Sequence, residues 1–207
     1  MEILGKLFGS EARVRMLRLF FLNPEASFES KDISRKTKTN PATVRKELSI
    51  LQSAGIVKRY SFYKEIVGRS KRKISVKKKR VEGWCLDKSF HYNEQLKNLL
   101  VSTDLIKKND ILKRFHRAGK IKLLIIAGLF IKNEGSRVDI FIVGDRMKRG
   151  IIENIIRSLE AEAGKEIRYA ALETAEFNYR MEMYDKFVRD ILDYPHETII
   201  DRLGVEG

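Results

Sequence analysis

The chain has 207 residues, one cysteine, three histidines and a formal net charge of +14. That length suits one large domain or two modest ones, and the lone Cys85 excludes an internal disulfide and a thiolate zinc cluster. With no apolar run of about 18 residues and no signal-peptide layout at its start, the chain is expected to be cytoplasmic and without a membrane partner. The charge is concentrated: residues 1–90 hold 22 Lys and Arg against 9 Asp and Glu, a net of +13, whereas residues 91–207 hold 20 against 19, a net of +1. A positive field confined to one part of a chain is the electrostatic footprint of a polyanion binder.

In chain order, Val14, Leu17, Phe20 and Phe21 recur at helical spacing behind Ser10, which predicts a capped helix over about 11–22. A short helix over 30–37, with Ile33 inward, is followed by a polar turn. The next helix opens with Asn40 as cap and Pro41 at its first position, where a missing N–H costs nothing. Val44, Leu48 and Leu51 form its inward stripe. Thr43, Arg45, Lys46 and Ser49, with Thr39 and Asn40 at its entrance, are left to reach base edges and phosphates. Gly55 ends the helix, and two strand-like runs, "IVKRYSFYKEIV" and "EGWCL", flank the basic tract "GRSKRKISVKKKRV". Arg69, Lys71, Arg72, Lys73, Lys77, Lys78 and Lys79 are its candidate phosphate contacts, and Cys85 reads as a small strand residue.

Two strands joined by a basic loop directly after a helix-turn-helix describe a winged helix. Over roughly residues 4–90 the segment carrying "T..NPATVRKELSILQSAGIV" also resembles ArsR-like winged-helix transcriptional regulators. The resemblance implies that the helix at 41–54 enters the major groove of double-stranded DNA and that a wing at about 67–80 tracks a backbone or minor groove. Such modules also bind RNA or protein, and those alternatives stay open here.

Leucines and isoleucines between 96 and 112 predict two linking helices over 91–119, broken around "VSTD". Their apolar faces suit either an intramolecular core or a twofold partner. Dimerisation rests mainly on the economy with which a homodimer reads paired half-sites.

From Lys120 the pattern becomes α/β, giving an α+β chain of two domains with a module at 120–207. "KIKLLIIAG", "VDIFIVGD" and "KEIRYAAL" read as strands, "RGIIENIIRSLEAEAG" as an amphipathic helix, and "AEFNYRMEMYDKFVRDIL" as one last long helix. Over about 110–203 this order resembles the minimal nucleotidyltransferase fold. That family needs Gly-Ser after its first strand, two aspartates one residue apart, and a third carboxylate on a neighbouring strand, because these carboxylates hold the divalent metals. Gly128 and Asp139 fit, but Leu129 replaces the serine and Arg137 the first aspartate, and Glu166 and Glu173 lie only at the ends of the third strand.

A fixed positive charge next to a lone carboxylate opposes cation binding and favours a salt bridge or an anion site, which gives Asp139 a structural role. The whole chain looks like prokaryotic regulators that carry a catalytically degenerate nucleotidyltransferase-like domain as a sensor or assembly platform. That resemblance implies no catalysis, no cofactor, and a small-molecule or protein effector of unknown identity. Two alternatives remain: metal-dependent transfer using Asp139 and an unrecognised carboxylate such as Glu173, and an antitoxin-like protein that binds a partner through its second domain. His91, His116 and His196 are too scattered to form a ligand set.

Overall fold

The computed structural model describes residues 3–70, 73–102, 106, 108–133 and 135–205, without the side chains of 66–70, 73–76, 101 and 102. The fold is mixed α and β with two sheets, and the chain divides between residues 103 and 104 into two compact units. No helix among the described residues is long and apolar enough to cross a membrane.

The first unit runs α1 (Ile3–Leu7), α2 (Glu11–Phe21), β1 (Ser27–Phe28), α3 (Ser30–Thr37), α4 (Pro41–Ser53), β2 (Val57–Ser70), β3 (Lys73–Leu86) and α5 (Asn93–Ser102). Ser10 caps α2 by accepting the Arg13 N–H, and Asn40 caps α4 by accepting the Thr43 N–H, so both helices start where a side-chain oxygen satisfies an orphan donor. Lys38 turns the chain between α3 and α4 in the left-handed region (φ 49°). Gly55 does the same after α4 at φ 75°, where its lack of Cβ removes the steric cost.

Val44, Leu48 and Leu51 of α4 join Val14, Leu17, Phe20, Phe21 and Ile33 in one buried core. Burying each such side chain is worth about 1.5–3 kcal/mol. A polar clamp supplements this packing: Glu47 is buried on α4, and Arg13 Nε donates to its Oε2 at 2.7 Å while Nη1 donates to the Phe8 carbonyl at 2.8 Å. The three-stranded antiparallel sheet has the order β1-β3-β2. Gly83 lies where β3 passes β1, and a Cβ there would collide with the Phe28 carbonyl and the Phe62 ring. Cys85 sits in β3 opposite Ser27 and Lys58, and burial pushes its thiol pKa up, in keeping with a packing role. α5 packs within this unit: Arg18, fully buried on α2, donates from Nε to the Leu100 carbonyl at 3.2 Å.

The second unit runs α6 (Lys108–Phe115), β4 (Lys120–Ile126), β5 (Ile140–Asp145), α7 (Arg149–Ala163), β6 (Tyr169–Glu173), α8 (Thr174–Glu182), α9 (Lys186–Asp193) and β7 (Glu197–Asp201). Its sheet has the order β6-β5-β4-β7, with β5 and β6 parallel and the other pairs antiparallel. Alternation along β4 and β5 splits the core. Leu124, Ile126, Ile140 and Ile142 pack with α6 and α7, whereas Leu123, Ile125, Phe141 and Val143 pack with α8 and α9. Of the two helices expected as a linker, α5 therefore belongs to the first unit and α6 to the second.

The single last helix expected over "AEFNYRMEMYDKFVRDIL" is two. Tyr184 takes a left-handed conformation (φ 52°) and Asp185 restarts the chain as a cap, accepting the Val188 N–H at 3.1 Å. Phe177, Val188 and Ile191 still bury on the same sheet face, so apolar periodicity runs on across a break that only the cap chemistry marks. β7, α1 and β1 were not anticipated.

Candidate nucleic-acid interface

The buried stripe of α4 leaves Arg45, Lys46 and Ser49 exposed, with Ala42 and Gln52 continuing the same solvent face. No ion pair engages Arg45 or Lys46 among the described residues, because the helix's own carboxylate, Glu47, points inward to Arg13. The residues at the entrance are partly committed elsewhere. Asn40 Oδ1 accepts the Thr43 N–H at 2.8 Å, leaving the Asn40 amide nitrogen for a ligand. Thr39 is half-buried, its Oγ1 donating to the Thr37 carbonyl at 3.3 Å and its carbonyl accepting from Ser34 Oγ at 2.6 Å. Thr43 is half-buried as well.

β2 and β3 form one continuous hairpin, in register from Val57 opposite Leu86 to Ser70 opposite Lys73. Its outer part carries Lys77, Lys78, Lys79 and Arg80, all exposed and, among the described residues, without a salt-bridge partner. Arg69 and Lys73 belong to the distal strand pairs, with their side chains outside the described residues, and Lys71 and Arg72 lie wholly outside them. Lys64, opposite Lys79, is held by Glu29 (2.6 Å) and Asp32 (2.5 Å). The hydrogen bonds to Asp32 and Glu29 raise its pKa above the ordinary lysine value.

The base of the hairpin is fixed to the unit. Lys58 pairs with Asp87 at 3.1 Å, the Arg59 guanidinium stacks 5.2 Å from the Trp84 ring centroid, and Trp84 Nε1 donates to Ser30 Oγ at 3.2 Å. Sequence reasoning carried the basic tract through Arg80 but named its candidate contacts only as far as Lys79. Tyr60 and Tyr63 of β2 are also exposed, on opposite faces of the strand.

In the second unit Asp139 is 3% exposed and accepts four hydrogen bonds. Oδ1 takes the Leu129 N–H at 2.8 Å and Arg168 Nη2 at 3.2 Å; Oδ2 takes the Arg168 N–H at 2.8 Å and Arg168 Nε at 3.2 Å. These donors use the lone pairs that a metal would need. Gly128, at φ 51°, passes so close that a Cβ would strike Asp139 Oδ1, and its N–H donates to Ser136 Oγ at 3.1 Å.

The expected pairing of Asp139 with Arg137 is corrected. Arg137 pairs with Asp190 at 2.6 Å, and Arg168 is the arginine that holds Asp139. β5 starts only at Ile140, so strand alternation does not place residues 137 and 139 on one face. Glu173 is no companion to Asp139 either: it ends β6 opposite Gly144, whereas Asp139 precedes the Ile140–Tyr169 pair. At 3.3 Å per residue the two lie roughly 15 Å apart along the strands. Among the described residues no cluster of three or more His, Cys, Asp or Glu side chains is arranged to hold a metal ion. Comparison with protein-family models, curated proteins and solved structures finds no match for this chain.

Proposed function

We propose that the protein is a winged helix-turn-helix transcription regulator that binds double-stranded DNA in a sequence-specific way, as a homodimer in the cytoplasm. α4 is its reading helix and the β2–β3 hairpin its wing. The observation that carries this reading is the pairing pattern of the first unit's charges. Arg45, Lys46, Lys77, Lys78, Lys79 and Arg80 are exposed without a salt bridge among the described residues, while Glu47, Glu29, Asp32 and Asp87 are engaged by Arg13, Lys64 and Lys58. Cations without a salt bridge on a helix and an adjoining hairpin suit phosphates and guanine edges, and on the hairpin Glu65 stands opposite Lys78.

The second unit is a non-catalytic, nucleotidyltransferase-like sensor or assembly domain that takes a small-molecule or protein effector. The saturated hydrogen bonding of Asp139 supports that part of the proposal.

The test is a gel-shift titration of Arg45→Ala/Lys46→Ala against duplex DNA across a salt series. Each lost phosphate contact makes the slope of log affinity against log salt shallower by ~0.9, so a change approaching ~2 is expected. Loss of base contacts removes about 1–3 kcal/mol of discrimination at each affected base pair. Unchanged affinity and slope would remove α4 from the interface.

A further inference from the structure

The second unit carries its own concentration of free cations. Among the described residues, six of its ten arginines carry an ion pair: Arg114 with Glu162, Arg137 with Asp190, Arg157 with Glu153, Arg168 with Asp139, Arg180 with Glu176 and Arg189 with Asp193. Arg117, Arg146, Lys148 and Arg149 are exposed and, among the described residues, have no ion-pair partner. Two turns bring them together. The Lys148 N–H donates to the Ala118 carbonyl at 2.8 Å, and Gly119 lies so close to the Arg146–Met147 backbone that a Cβ would come within 3.0 Å of it. The carboxylate at this corner, Asp145, is already bound by Lys122 at 3.0 Å.

We infer that this corner of the second unit is a second nucleic-acid contact, in which Arg117, Arg146, Lys148 and Arg149 neutralise phosphates of a polynucleotide backbone independently of its sequence. Like charges gathered without ion-pair partners repel one another in the free protein, and phosphates relieve that repulsion while releasing counterions. Exposed cations on adjoining turns suit an extended run of phosphates, and because they address no base edge, the contact contributes affinity rather than specificity.

The experiment uses the full chain and a duplex of scrambled sequence, with affinity followed by fluorescence anisotropy over a salt series. Arg117→Ser/Arg146→Ser/Lys148→Ser/Arg149→Ser is expected to make the log–log salt slope shallower by ~3 to 4, at ~0.9 per contact. Arg117→Lys/Arg146→Lys/Arg149→Lys is expected to keep it. If the fourfold variant fails to fold, Lys148→Ser/Arg149→Ser carries the test, with a change of ~2 expected.

A folded variant with the wild-type slope overturns the inference. So does a wild-type patch that captures poly-L-glutamate but not duplex, which would assign the corner to an acidic protein. The outcome is separable from the reading of α4: failure of that reading leaves Arg45→Ala/Lys46→Ala silent while the second-unit variant still responds, and failure here gives the reverse.

Discussion

Asp139→Ala is expected to destabilise the second unit by about 2–4 kcal/mol, and Asp139→Asn by nearly as much. Four donors converge on the carboxylate, two from backbone N–H groups and two from the Arg168 guanidinium. Alanine leaves the Leu129 and Arg168 N–H groups without acceptors in a partly buried site, at about 1–3 kcal/mol for each unsatisfied group. Asparagine keeps the shape, but it must turn an NH2 group towards donors, so one oxygen's worth of acceptors is lost and a repulsive contact appears. In calorimetry the transition of this unit should fall by roughly 10 °C or more for both variants, given about 4–8 °C per kcal/mol in a domain of this size. A structural anchor requires that asparagine fail. An Asp139→Asn protein melting like wild type would mean that the hydrogen bonds, and the role drawn from them, are misassigned.

Glu47→Ala is expected to cost about 2–4 kcal/mol in the first unit, because it strips the acceptor from a largely buried ion pair and strands the Arg13 guanidinium. Arg13 also holds the Phe8 carbonyl, so the clamp ties the start of the unit and α2 to α4. On the proposed reading of α4, loss of the pair should also weaken DNA binding even under conditions where the unit stays folded. A urea-denaturation cycle of Glu47→Ala, Arg13→Ala and the double variant should return a coupling of about 1–3 kcal/mol. A coupling near zero would show that Glu47 matters only by its volume.

Glu47 also marks the limit of what the sequence discloses. The start of α4 is written locally, in Asn40, Pro41 and the Val44–Leu48–Leu51 spacing, and the structure places these residues as that pattern predicts. The partner of Glu47 lies 34 positions away and that of Asp139 lies 29 away, separations at which no spacing rule operates. Arg137 was the nearer arginine in sequence, yet the chain is not in a strand at that point and its side chain turns to Asp190. β7 escaped notice because "ETIID" is half-buried and short, and its pairing with β4 depends on residues some 75 positions earlier. The break between α8 and α9 was legible in Asp185, three residues before the buried Val188, but the apolar rhythm masked it.

The saturated Asp139 and the free cations of the first unit point in the same direction. In each unit a buried carboxylate, Glu47 in the first and Asp139 in the second, holds architecture, while cations without an ion pair face outward. On this account the exposed cations of the chain suit a polyanion, and Asp139 serves the architecture of the second unit.

The central claim is that α4 reads base pairs in duplex DNA. It is tested most directly by selecting bound sequences from a random duplex library at near-physiological salt, with the wild-type chain and with Arg45→Ala/Lys46→Ala in parallel. The account predicts an inverted-repeat consensus for the wild type, with half-sites about one helical turn apart, and loss of base preference at the contacted positions in the variant. Recovery of no consensus by the wild type, or of the same consensus by both proteins, would contradict it.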